Sequence, residues 1–408
     1  MLPSVGVVDT GESCGELISA LKAAGFTVSS LWGCTQHQAK TMAHRYDIGY
    51  STSKIDELLL REDVDLVVIL CPPHQRAEVA VKALSIGKHV LCEAPSGLSR
   101  EEADRMVSAA QYYPRLLSIM KHELRFVPTF IKMKQLIEDG YCGRLLVCDC
   151  HLDMGSLLGI SYDWTCDQAM GGGILTKYGC HIIDIVSFMT NQRAVSVNGT
   201  LKTFITQTDT ISSFRHITSD DFCTFQMVLS DGAFVTVTLN SHSSSSSQTI
   251  TVNGTNGQLV STNERLVGTR DGEEEEFVID RTANIKEMPL NTFHFGLEAL
   301  VKEIKRAFEE SVDKEDRRNA DLQAIASAAS FEDGLYTRSV MDAIITSSRK
   351  GCWVNIPPLS KSSSGQAPKR SSSDAYSTLP GNINSEKSEG KEKSVTHHIR
   401  HITIQKSF

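Results

Sequence analysis

The side chains best spaced for proton chemistry lie between residues 171 and 184. Gly171, Gly172 and Gly173 form a turn that runs into an apolar stretch carrying Lys177, His181 and Asp184. Positions three and four apart share one helix face, so the spacing predicts that these three side chains converge on one spot. A histidine beside a charged partner at the start of a helix can take a proton from a bound substrate and return it. The same run also fits a glycine-capped core helix with a hydrogen-bonded histidine, and taken alone the two readings weigh equally.

What tips the balance is the pattern that leads up to this helix. Short apolar runs at 5–8, 27–32, 66–70 and 90–92 alternate with amphipathic stretches at 14–24, 36–45, 55–60 and 77–86. Strand–helix alternation at this spacing gives a parallel sheet with right-handed crossovers, the α/β Rossmann-type arrangement. A linking helix at 129–138 follows. The pattern then changes to period-two strands at 145–153, 195–205, 222–229, 233–241 and 248–252, separated by turns such as Ser230-Asp231-Gly232. That is an α+β region with a large, mostly antiparallel sheet. Apolar helices at 293–308 and 322–348 close it. The expected organisation is a dinucleotide-type domain over 1–124, a substrate and oligomerisation domain over 125–358, and a Ser/Lys/Gly-rich tail over 359–408 too poor in large apolar residues to fold.

Composition narrows the class. With 408 residues, 40% hydrophobic and 22% charged, the chain can bury a large core. A net charge of −8 and a pI near 5.9 argue against a nucleic-acid binder. No apolar run is long enough to span a bilayer. The start reads as a strand rather than a signal peptide. Eleven scattered cysteines, several in apolar strands, suit free thiols in a reducing compartment, so the cytosol is the expected location. Export by an unconventional route stays open. The sequons at Asn198 and Asn253 then read as chance matches.

The first strand-to-helix turn tests the dinucleotide reading. A phosphate-binding turn uses G-x-G-x-x-G, the glycines allowing a tight bend and close approach of the pyrophosphate. Here it reads Asp9-Thr10-Gly11-Glu12-Ser13-Cys14, with Gly15 one step late, so only the middle glycine remains. A carboxylate at position 9, about 4 Å from a phosphate charge, would cost roughly 4 kcal/mol at an effective dielectric near 20. Micromolar binding is worth only about 8 kcal/mol in all. After the second strand, Trp32-Gly33-Cys34-Thr35-Gln36-His37 lacks the acid that would hold an NAD ribose. His37 and Lys40 nearby lean towards a 2′-phosphate, hence NADP.

The order of motifs resembles the Gfo/Idh/MocA oxidoreductases over roughly residues 4–357. Cys71-Pro72-Pro73-His74 resembles that family's nicotinamide-side loop. Glu93-Ala94-Pro95 resembles its Glu-Lys-Pro strand end, Arg125-Phe126-Val127-Pro128 the start of its linking helix, and 171–184 its glycine-rich histidine segment. Asp163-Trp164, Ser219-Asp220-Asp221-Phe222 and Gly254-Thr255-Asn256-Gly257 fall where it has similar runs. The resemblance implies hydride transfer to a nicotinamide, with a lysine orienting the substrate hydroxyl and a histidine taking its proton. It implies cofactor contacts from Thr10, Gly11, Cys34, Thr35, Cys71, Pro72, His74, Glu93 and Pro95, and pairing of subunits through the antiparallel sheet.

Two departures weaken the implied chemistry. The lysine position holds Ala94 and the aspartate position holds Lys177, leaving His181 and Asp184 in register. Loss of one positioned acid–base group costs about 10²–10⁴-fold in rate. The expectation is therefore a degenerate oxidoreductase fold, a scaffold or sensor with little or no hydride transfer. The alternative is an active NAD(P)-dependent dehydrogenase or reductase of a sugar, polyol or related carbonyl compound, with Lys177 and His181 as the working pair. No metal site is expected. Cys148, Cys150 and His151 alternate on a strand, which puts the thiols on one face and the imidazole on the other. His397, His398 and His401 have nothing nearby to complete a set of ligands. Glu273 to Glu276 read as a solvated acidic loop, and the serines at 243–247 and 371–373 as loop or phosphorylation segments.

Overall fold

The computed structural model describes residues 2–358 except 160, 210, 212–214, 263–264, 279–290 and 312–318. The tail read as unfolded, with its histidine and serine clusters, lies outside the described residues.

The first half alternates as the sequence predicts: β1 (Ser4–Val8), α1 (Glu12–Ala23), β2 (Thr27–Trp32), α2 (Gln36–Arg45), β3 (Tyr50–Thr52), α3 (Ile55–Leu59), β4 (Leu66–Ile69), α4 (Pro73–Ser85), β5 (His89–Glu93), α5 (Arg100–Tyr112) and β6 (Ser118–Lys121). Every residue of β1 and β4 is buried. Their unbroken apolar runs suit a sheet covered on both faces. The strands lie parallel in the order β3-β2-β1-β4-β5-β6, the dinucleotide-binding arrangement.

A single 3₁₀ turn (Glu123–Phe126) and α6 (Pro128–Glu138) lead into the second region. It holds β7 (Leu145–Asp153), α7 (Cys180–Thr190), β8 (Ala194–Lys202), β9 (Phe222–Leu229), β10 (Phe234–Asn240), β11 (Ser247–Gly254), β12 (Gly257–Thr262), β13 (Arg265–Arg270) and β14 (Glu273–Phe277). Then come α8 (Asn291–Glu309), β15 (Ala329–Ser330), α9 (Phe331–Lys350) and β16 (Val354–Asn355). The nine-stranded sheet runs β14-β13-β12-β11-β7-β10-β9-β8-β16, antiparallel except between β7 and β10. Cys148 and Cys150 are buried on its inner face with sulfurs 3.8 Å apart, and His151 is exposed on the other, as strand alternation requires.

Two expectations need correction. Residues 322–348 do not form one helix. A short strand, β15, pairs antiparallel with β6, and the helix begins only at Phe331. Ser330 stops it from extending backwards: its hydroxyl accepts the Asp333 N–H, and the Asp333 carboxylate accepts the Ser330 N–H, a reciprocal cap. The acidic run at 273–276 is not a loop but the edge strand β14, where Arg265 grips Glu276 at 2.7 and 2.8 Å. A charged edge of this kind discourages further strand pairing.

The chain after residue 290 is shared between the sheets. Leu297, Leu300, Val301, Ile304 and Phe308 of α8 pack in the same buried cluster as Val5 and Leu31 of the first sheet and Leu17 of α1. Val340 and Ile344 of α9 join the cluster of Val197 and Phe225 beneath the second. Among the described residues, no helix is long and apolar enough to cross a membrane.

Candidate active site

The histidine helix is held at its start by close backbone approach. Gly171 and Gly173 have φ of +90° and +121°, which side chains rarely adopt. A Cβ on Gly171 would stand 2.8 Å from the Pro73 ring, and one on Gly173 2.1 Å from an Asp220 oxygen. Asp220 caps the helix: its carboxylate accepts the Leu175 N–H at 2.9 Å and its carbonyl the Ile174 N–H at 2.8 Å. Burial pushes the Asp220 carboxyl up to about 6.

The first turn, Leu175–Gly179, is a π turn rather than an α turn. Its i→i+5 bonding rotates the faces that α spacing would align. Lys177 is exposed, with its ammonium 5.6 Å from the centre of the Tyr178 ring, whereas His181 and Asp184 are buried. The convergence expected of all three is thus not what the fold makes. Asp184 is engaged by Arg125, which donates to its two oxygens at 2.8 and 2.6 Å and also reaches Asp333 at 3.3 Å. This buried clamp ties α7 and α9 to the turn after β6.

His181 meets a different set of groups. Glu93 and Lys121 are register partners at the carboxyl ends of the parallel strands β5 and β6. The Lys121 ammonium lies 3.0 Å from Glu93 Oε2 and 2.7 Å from Glu123 Oε1. Glu123 Oε2 is 3.9 Å from His181 Nδ1, and His122 Nδ1 is 3.3 Å from the same nitrogen. Phe293 packs edge-on to His181, ring centres 5.4 Å apart. One oxygen of each glutamate and a nitrogen of His181 fall within 4.8 Å of one another, a space for positive charge, and Lys121 provides it. Burial pushes the Glu93 carboxyl up, but Lys121 and then Arg76 outweigh it and hold the group down to about 2. Burial pulls the Lys121 ammonium down, yet Glu123 and Glu93 outweigh it and hold the group well above the usual lysine range. His122 is driven well below its ordinary value, first by burial and then by His181, and is neutral.

The dinucleotide end is built differently. The Asp9 carboxylate turns back on its own loop and accepts the Gly11 N–H at 3.1 Å, one of the donors a pyrophosphate would use. Burial raises the Asp9 carboxyl, against the pull of the Thr10 and Gly11 N–H groups. Thr10 is half-buried against Gly33, where a Cβ would meet its methyl at 2.7 Å. Cys34 is exposed, and Thr35 caps α2 by accepting the Gln38 N–H. Buried Arg76 donates to the carbonyls of Cys71 (2.8 Å) and Pro95 (3.0 Å), joining the loop after β4 to the turn after β5. Pro72 precedes α4, and His74 Nδ1 and Gln75 Oε1 beside it are buried without hydrogen-bond partners. Those orphaned atoms fit a polar ligand beside the start of α4, whereas the Asp9 carboxylate would repel a phosphate at the turn after β1.

The sequence reading missed Arg76, Lys121, His122 and Glu123. The run Lys121-His122-Glu123-Leu124-Arg125 was the available signal: four charged or titratable residues closing a buried strand.

A parallel sheet of this order, with a buried histidine and carboxylates at its carboxyl end and an antiparallel sheet behind, is a nicotinamide-oxidoreductase architecture. The sequence pattern of the oxidoreductase family with an NAD-binding Rossmann fold matches residues 4–120, and that of the GFO/IDH/MocA C-terminal domain matches 130–260. The chain belongs to the Gfo/Idh/MocA family. Among individual proteins it is similar to mouse glucose-fructose oxidoreductase domain-containing protein 1, at 45% identity over 367 residues, 87% of this chain and 93% of that protein. Human glucose-fructose oxidoreductase domain-containing protein 2 is 41% identical over 372 residues, 88% of this chain and 95% of that one. Levoglucosan dehydrogenase, solved in complex with NADH and L-sorbose, shares the fold with a TM-score of 0.71 at 21% identity, over 88% of this chain and all of that one.

Proposed function

We propose that this chain is a nicotinamide-dinucleotide-dependent oxidoreductase of a small hydroxyl or carbonyl compound of the sugar or polyol kind, with His181 as its acid–base group. One observation carries the reading: a buried imidazole held beside a carboxylate at the carboxyl end of β6, on a helix fixed by the Arg125–Asp184 clamp. The expectation of little or no hydride transfer rests on Ala94 at the lysine position, Lys177 at the aspartate position and the altered glycine turn; for the first of these an ammonium, Lys121, stands instead on the adjacent strand.

Gly11 and Thr10 would face the pyrophosphate, Cys34 and Thr35 the adenosine ribose, and Cys71, Pro72 and His74 the nicotinamide ribose. Exposed His37 and Lys40, with no acid at the end of β2, favour NADP over NAD. When bound, the dinucleotide supplies the hydride acceptor or donor. This chain's residues orient the substrate, hold its proton and keep water away. Eleven free cysteines, nine of them buried, support a reducing compartment, the cytosol. Exposed Val147 and Trp353, the latter against Phe234, support pairing of two copies through the second sheet.

A second reading, a scaffold or sensor with no hydride transfer, is favoured by Asp9, whose carboxylate takes a donor the cofactor needs. Titration with NADPH and NADH followed by nicotinamide fluorescence separates them. Micromolar binding of either supports the enzyme reading, and no binding up to millimolar cofactor leaves the scaffold.

A further inference from the structure

Lys121 is the residue whose placement goes furthest beyond its sequence position. We propose that the Lys121 ammonium binds and polarises the substrate's hydroxyl oxygen, replacing from β6 the ammonium that position 94 on β5 lacks; this rests on the oxidoreductase reading above. Three features of the site lead there. Glu93 and Lys121 pair in register, so the side chain leaves its strand level with the residue before Ala94. Lysine has three donors. Two are given to Glu93 and Glu123, and the third has no hydrogen-bond partner among the described residues. Glu123 Oε2, in turn, is a buried acceptor with no partner, aimed at His181 from 3.9 Å. An unfilled donor and an unfilled acceptor side by side are the complement of an alcohol O–H. A buried carboxylate oxygen left unmatched costs about 1–3 kcal/mol or more, which a bound hydroxyl relieves.

In the oxidation direction the O–H bond breaks, its proton passing to Glu123 Oε2, the acceptor it faces, and on to His181 3.9 Å away. A bound oxidised nicotinamide dinucleotide would supply the two-electron acceptor for the hydride of the adjacent C–H bond, and the substrate would become a carbonyl. Lys121 stabilises the negative charge that grows on oxygen, and Glu123 steadies the imidazolium that results, as a carboxylate does in a hydrolase triad.

The test uses the full chain, NADP⁺ and NAD⁺, and levoglucosan, L-sorbose and myo-inositol as probes. Turnover is measured alongside fluorescence titration of NADPH and of each polyol into the NADPH-bound protein. Lys121→Met is expected to bind NADPH as the unaltered chain does, to lose polyol binding at least tenfold, and to lose about 10²–10⁴-fold in turnover. Ala94→Lys combined with Lys121→Met returns the ammonium to β5 and is expected to recover both, which a lysine serving only the fold would not allow. Lys121→Met with polyol binding and turnover within threefold of the unaltered chain, or no recovery in the double variant while it folds and binds NADPH, overturns the inference alone. An unaltered chain that binds no cofactor or turns over none of the probes overturns the reading and the inference with it.

Discussion

The turn after β1 and the histidine site depart from the family pattern in opposite ways. At the pyrophosphate end, Asp9 adds a negative charge where the ligand is negative, and the chain answers locally by folding it onto the Gly11 N–H. At the histidine site the lysine position holds Ala94, and a neighbouring strand places Lys121 between Glu93 and Glu123. A tight turn can only rearrange within itself. Parallel strands 4.8 Å apart bring residues distant in sequence to one level, so a missing charge can be replaced from next door. The same family pattern therefore decays differently according to whether a loop or a sheet presents it.

That contrast can be broken most severely at the clamp. Arg125→Ala leaves Asp184 buried and unpaired, and unfolding in urea should show a loss of about 3–5 kcal/mol. His181→Ala should leave the fold and NADPH affinity intact while removing about 10²–10⁴-fold of any polyol turnover. Equal turnover in that variant would make the acid–base end as inert as the alternative reading holds.

Asp9→Asn addresses the other end. Removing the charge should tighten NADPH by tenfold or more, with roughly 4 kcal/mol as the ceiling. Because burial raises the Asp9 carboxyl, it takes up a proton above the usual carboxylate range. Protonation removes the repulsion, so cofactor affinity of the unaltered chain should rise as pH falls, and the slope should flatten in Asp9→Asn. Calorimetry across pH checks both. The smallest effect belongs to Thr35→Ala, which loses the α2 cap and about 1 kcal/mol of stability by urea unfolding.

Much of the fold was legible because its periodicities are local. The unbroken apolar runs of β1 and β4 announce a covered parallel sheet, and the alternation of β7 puts Cys148 and Cys150 inside and His151 outside. Less legible were the short pieces whose reason is tertiary: β15 exists because β6 offers an edge, and Glu273 to Glu276 form a strand because β13 lies beside them. Spacing of 3.6 also misled around Lys177, since Asp220 and the glycine turn set up a π turn there.

By itself the sequence determined the family, the parallel sheet, and the presence of His181 and Asp184 on one apolar helix. Those depend on patterns carried by neighbouring residues. Only the tertiary structure decided that Asp184 serves Arg125, that Lys177 is exposed, and that Glu123 stands beside His181 while Lys121 bridges Glu93 and Glu123. These are pairings across 58 or 59 residues or between adjacent strands. No local pattern encodes them, because burial and charge compensation become definite only when the strand ends and the helix are packed together.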